Sequence, residues 1–102
     1  MRKITEEAMN AFYGGRNFKK QNTEVRATID YVYLVLHNSV IAKLNDRGLW
    51  VTTAGWDTNT TRDRLNSLHG VHVRSRKGVL TLNGKPWDGG MVEVGFFNTY
   101  EL

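Results

Sequence analysis

The sequence predicts an α+β domain, an antiparallel sheet of five to seven short strands with two helices, one N-terminal and one inserted after the fourth strand. Three observations predict it. From Thr23 onward apolar and polar residues alternate with a period of two, in runs joined by short turns, which is the pattern of an antiparallel meander. Two stretches, 4–13 and 62–69, break that period with the start and stop residues of helices. Asn83-Gly84, between apolar runs, is the strongest hairpin signal in the chain.

The elements follow in order. In 4–13, Thr5 is the expected N-cap, Glu6 and Glu7 complement the positive end of the dipole, and Gly14-Gly15 stops the helix. Ile4 and Met9 take the hydrophobic-staple positions, and Met9, Phe12 and Tyr13 form a face expected to pack on the core. Residues 17–23, polar and basic with Lys19 and Lys20, read as a connector. Val25, Ala27 and Ile29 alternate with Glu24, Arg26 and Thr28 as a half-buried strand. Residues 31–36 give a second, more apolar strand, and 40–44 returns as a third after the turn at His37-Asn38-Ser39. Asn45-Asp46-Arg47-Gly48 is a turn, and 49–53 the fourth strand.

The loop 57–61 leads into the second helix, where Thr60 and Asp63 resemble a capping box, Leu65 and Leu68 face inward and Gly70 ends the element. Val71 and Val73 then alternate with His72 and Arg74, Ser75-Arg76-Lys77-Gly78 turns the chain, and Leu80 and Leu82 supply the apolar side of the returning strand. Pro86 shortens the strand after Asn83-Gly84, 91–94 reads as a final strand and 96–102 as a tail.

A chain of 102 residues has room for one domain over 1–102, and its 40% apolar and 24% charged residues suit one globular core. So small a domain buries a modest share of its surface, and an oligomeric partner would add to its stability. The absence of cysteine excludes disulfides and zinc–thiolate sites. No apolar run follows the basic N-terminus and no segment is long enough for a bilayer, so the expected location is cytoplasmic, with no membrane partner. The net charge of +4, from 14 Lys and Arg against 10 Asp and Glu, permits nucleic acid as a partner.

Two candidate sites come from the residues. Thr58, Thr60, Thr61, Arg62 and Arg64 surround a helix start, where unpaired N–H groups and the dipole favour phosphate or carboxylate. The alternative is that the threonines only cap the helix, with Arg64 pairing Asp57 or Asp63. Arginines at i and i+2 cannot share a helix face, so at most one points at a common ligand. The second candidate is the basic segment Arg74, Arg76, Lys77 and Lys85, beside His72 and without an acid, which fits a phosphate backbone. Its alternative is a solvated turn that discourages edge pairing.

Among the aromatics, Trp50 is expected in the core, while Trp56 and Trp87 are the candidates for base stacking, Trp87 the more exposed. The histidines His37, His69 and His72 lack the companions of a metal site, and no cofactor motif is present. No nucleophile, phosphate-loop or paired-carboxylate motif marks an enzyme.

The order of motifs resembles a family of small, largely uncharacterised accessory proteins of tailed bacteriophages and plasmids. The resemblance rests on the Ile4-Thr5-Glu6-Glu7-Ala8 helix, on Leu36-His37-Asn38, and above all on Gly55-Trp56-x-Thr58-x-Thr60-Thr61-x-x-Arg64-Leu65-Asn66. It implies no catalytic residues. It implies a setting, the interior of a bacterial cell carrying a mobile element. The leading expectation is non-catalytic binding of an anionic partner, nucleic acid first and nucleotide second. The alternative is an interaction module that inhibits or redirects a host protein, and a third is a small nuclease or hydrolase.

Overall fold

The structure is a computed structural model that describes residues 2–94. Helix α1 spans Lys3–Gly14. Five strands follow, β1 (Phe18–Lys20), β2 (Thr23–Ala27), β3 (Val32–Leu36), β4 (Ser39–Asn45) and β5 (Gly48–Val51). Helix α2 spans Asn59–Asn66, and after it come β6 (Val73–Arg76), β7 (Val79–Leu82), β8 (Lys85–Pro86) and β9 (Val92–Glu93). Each of the first five strands pairs antiparallel with its neighbour and β9 joins the β5 edge, giving the order β1-β2-β3-β4-β5-β9. A separate three-stranded antiparallel sheet has the order β6-β7-β8. The α+β class stands; the expected single sheet is two. The expected tail 96–102, with Phe96 and Phe97, lies outside the described residues.

The second helix follows the fifth strand rather than the fourth, because the expected connector is itself a strand. Phe18 pairs with Val25 and Lys20 with Thr23, a run too short to show a period. The strand that holds Val25 ends at Ala27, and Ile29 is fully exposed. Thr28 closes the chain there, its N–H donating to Tyr31 O at 2.8 Å and its hydroxyl accepting from Tyr31 N at 3.1 Å.

Strand parity sorts the large sheet into two faces. Val25, Leu34, Ala42 and Val51 lie in register and are buried, meeting Ala8, Met9, Ala11 and Phe12 of α1 and Leu65 of α2 in the core. Arg26, Tyr33, Lys43, Trp50 and Glu93 line up on the opposite face. A bulge after Leu34 leaves Ile41 without a partner on β3, so Ile41 and Ala42 are both buried although adjacent. In the small sheet Val73 and Leu82 pair across the hairpin and turn into the same core. Both of its turns place two residues in the left-handed region, Lys77-Gly78 at φ +52° and +78°, Asn83-Gly84 at +50° and +85°. That is the backbone two-residue hairpins require, and glycine adopts it without steric cost.

Candidate functional site

The start of α2 is built by Thr58. Its hydroxyl accepts from Thr61 N at 3.1 Å, so the helix begins at Asn59 and the expected Thr60–Asp63 capping box does not form. Thr61 is buried and its hydroxyl lies 3.0 Å from that of Thr58; Thr60 is half-buried. Arg62 is held by the carboxylate of Asp57 and the side chain of Asn59.

Arg64 faces inward and is only 1% exposed. Its Nε donates to Thr23 Oγ1 at 3.1 Å, and its Nη1 to Thr5 Oγ1 at 2.9 Å and Asp63 Oδ2 at 2.6 Å. Thr5 Oγ1 donates in turn to Asp63 Oδ2 at 2.8 Å. A buried guanidinium is tolerable only when paired and hydrogen-bonded, and among the described residues no buried side-chain nitrogen or oxygen lacks a partner. This corrects two expectations. Thr5 is not the cap of α1, whose N-cap position is Arg2 without a side-chain bond. Arg64 is not presented to an external ligand, and the helix start does not gather Thr58, Thr60, Thr61, Arg62 and Arg64 around one open anion site. Asn66 completes the structural role of this run, its amide accepting from Val73 N at 2.6 Å and donating to Val73 O at 3.0 Å, which ties α2 to β6.

The basic segment is different. Arg74, Arg76, Lys77 and Lys85 are exposed, and their side chains make no hydrogen bond or ion pair among the described residues. Arg74 and Arg76 sit two apart on β6 and share a face, with Lys77 at the turn beyond them. An open cavity of about 800 Å³ brings Arg74 and Lys85 together with His72 and Trp87, and Glu93 is also on its lining. Trp87 is half-buried against the core with its indole N–H on Gly90 O at 2.9 Å, whereas Trp56 is 59% exposed. The order of exposure expected for these two tryptophans is therefore reversed.

The third cluster lies on the outer sheet face, where Trp50 was expected to be core. Leu49 and Val51 take the inward positions of β5, so Trp50 points outward. The Tyr31 ring centroid is 5.7 Å from that of Tyr33 and 5.9 Å from that of Trp50. Lys43 Nζ lies 4.7 Å from the centre of the Tyr31 ring and 5.4 Å from that of Trp50, within cation–π range. Beside them the Arg26 guanidinium makes two bonds to Glu24, at 2.8 and 3.2 Å. That pairing holds the Glu24 carboxyl below the usual carboxylate range and raises Arg26.

The family model of the Kyanoviridae Gp96 protein matches residues 1–101. The chain belongs to this family. It is thus a bacteriophage accessory protein, in agreement with the phage setting that the motifs implied. No curated protein and no solved structure matches the chain.

In this phage protein the histidines are apart. His69 stacks on Tyr13 with centroids 4.2 Å apart and planes 10° from parallel, and its backbone N–H donates to the Tyr13 hydroxyl at 2.8 Å. Burial pushes the Tyr13 phenol above its usual pKa, with the His69 N–H acting in the opposite sense. His37 lies at a turn, 3.5 Å from the Asn22 amide, and His72 is exposed. Among the described residues no group of three or more His, Cys, Asp or Glu is placed to hold a metal ion, and no helix is long and apolar enough to cross a membrane.

Proposed function

We propose that this phage protein is a non-catalytic binder of an anionic partner, nucleic acid first and nucleotide second, acting in the cytoplasm of the bacterial host. One observation carries the reading. Arg26, Arg62 and Arg64 each have a carboxylate partner, whereas Arg74, Arg76, Lys77 and Lys85 are exposed and unpaired among the described residues. Arg74, Arg76 and Lys77 follow one another along the hairpin; such neighbouring cations repel one another, and a row of phosphates relieves that repulsion while releasing its own counterions. Arg74 and Lys85 line the same cavity as His72 and Trp87, where two cations stand against the one carboxylate of Glu93. Arg62 and Arg64 contribute to the fold and not to this surface.

Equilibrium binding of DNA and RNA oligonucleotides across a salt series tests the reading. Affinity is expected to fall steeply with salt, and the variant carrying Arg74→Gln, Arg76→Gln and Lys77→Gln to bind more weakly with a shallower slope. No retention of DNA, RNA or nucleotide at low salt removes the reading.

A second reading is an interaction module that inhibits or redirects a host protein, supported by Trp56 and by Met91 and Val92 at the β9 edge, exposed at 59%, 48% and 38%. A stoichiometric host protein retained after nuclease treatment and at high salt favours it. Turnover of a phosphodiester that is lost on His72→Ala would instead favour a small nuclease.

A further inference from the structure

We infer that the outer face of the six-stranded sheet is a contact surface between two copies of this chain, stacked face to face. Both helices, and Val73 and Leu82 of the small sheet, pack on the opposite face. The pairing register sets Lys19, Arg26, Tyr33, Lys43, Trp50 and Glu93 on the outer side, one from each strand. Tyr31 joins them, its ring at 40° to Tyr33 and 78° to Trp50, so the cluster offers ring edges and faces together. All three rings are half-buried, and none belongs to the core or to the residues packed against it. With Glu24, beside Arg26, the face holds three cations against two carboxylates. Tyrosine, tryptophan and arginine with nearly balanced charge is the composition of a protein interface.

The distribution of that charge selects a second copy as the occupant. At the β1–β2 end Lys19 and Arg26 stand against Glu24, one positive charge in excess. At the β9 end stands Glu93, whose carboxylate lies over the neighbouring β5, where a Cβ on Gly48 would meet its Oε2 at 2.5 Å. Between the two ends Lys43 sits over the Tyr31 and Trp50 rings. A two-fold axis parallel to the strands and midway between β3 and β4 lays β1 over β9, β2 over β5 and β3 over β4 of the other copy. The positive end then meets the negative end twice. Arg26 of one copy comes to Trp50 of the other, and Lys43 to Tyr33, a cation to a ring each time. An axis across the strands lays every strand on itself, with Lys43 on Lys43 and Glu93 on Glu93, and like charges oppose it. Two sheets with nearly aligned strands, about 10 Å apart, are the ordinary arrangement of a sandwich. The stack takes the aromatic surface that the monomer leaves half-exposed out of water. The inference does not rest on the nucleic-acid reading, since the hairpin cations belong to the small sheet.

Sedimentation equilibrium of the full chain, without nucleic acid, tests the inference. The mass is expected to rise from that of one chain toward that of two as concentration passes through the micromolar range. Tyr33→Ser is expected to weaken dimerisation about ten-fold. Glu93→Lys and Lys19→Glu, each of which makes the two ends alike in charge, are each expected to weaken it several-fold. The double exchange of Glu93→Lys with Lys19→Glu reverses both ends and is expected to restore it, which a misfolded chain would not do. Circular dichroism checks that each variant folds. A wild type that stays monomeric up to millimolar concentration overturns the inference and leaves the face to another partner. A dimer that Tyr33→Ser and the charge variants leave unchanged overturns it as well, since the copies then meet elsewhere.

Discussion

The guanidinium of Arg64, in α2, donates to the hydroxyl of Thr5, in α1, at 2.9 Å across a separation of 59 residues. Thr5 donates onward to Asp63, which also accepts from Arg64, so the three side chains close a triangle that locks the two helices together. Thr23 of β2 accepts the Nε–H and adds the sheet to the same knot. The residues that look most like an anion site in the sequence are thus satisfied from within.

Thr5→Val keeps the shape of the side chain and removes both of its bonds. Arg64, which is closed to water, then loses one acceptor and the half-buried Asp63 one donor, a cost of about 1–3 kcal/mol. Arg64→Ala takes a donor from each of Thr5, Thr23 and Asp63, leaves the Asp63 carboxylate without its cation and empties the buried space the side chain fills, and is expected to cost about 3–5 kcal/mol, a large share of the stability of a small domain. Arg64→Lys does not rescue it, because one ammonium cannot reproduce the fork that reaches both Thr5 and Thr23. Urea denaturation reads these as shifts of midpoint at constant m. A Thr5→Val midpoint equal to the wild type's would refute the knot.

Legibility follows the range of the interaction. The meander, both left-handed hairpin turns and the exposed cations at 74–77 are written in neighbouring residues, and the sequence reading places them. Threonine before two glutamates is a local cap signal, whereas the partners of Thr5 lie 58 and 59 residues away, beyond any spacing argument. Phe18–Lys20 makes three ladder pairs, too few to establish alternation. Trp50 could have been placed, since Leu49 and Val51 on either side already claim the core parity of β5. Trp56 and Trp87 could not, because only the Trp87 bond to Gly90 and its packing on the core separate them.

Gly89 carries the loop that delivers β9 to the sheet. Its carbonyl accepts from Thr52 Oγ1 at 2.7 Å and Thr53 N at 2.9 Å, and its φ is +88°. A Cβ there would meet Thr53 Oγ1 at 2.5 Å. Gly89→Ala is expected to cost about 1–3 kcal/mol through strain and that clash. It should also speed amide exchange at Val94, whose N–H donates to Leu49 O at 2.7 Å. Adding Thr53→Ala relieves the clash and not the strain, so the double variant is expected to recover part of the loss.

Tyr13 sets an alkaline limit. Burial raises its pKa in the folded state above the usual 10.0, so the folded protein holds the phenol proton more tightly than the unfolded chain does. Between those two pKa values the native state carries more protons, and stability falls with pH. The contribution is complete below pH 10.0 and is lost as pH rises through the higher folded value. The stability difference between wild type and Tyr13→Phe is therefore expected to be flat at neutral pH and to move toward Phe above about pH 10. A difference that stays constant across that range removes the claim.

Arg62 and Arg74 separate structural cations from binding ones. Arg62 is engaged by Asp57 and Asn59 at the surface, while Arg74 is exposed and unpaired among the described residues. A surface ion pair contributes little, so Arg62→Gln is expected to change stability by less than about 1 kcal/mol and to leave the salt slope of nucleic-acid binding as it was. Arg74→Gln removes one phosphate contact, so the slope of log affinity against log salt should become shallower by about 0.7 on a single strand or 0.9 on a duplex. The two variants have the same net charge. A slope lowered equally by both would mean that binding responds to overall charge alone, and the hairpin would then have no claim to be the site.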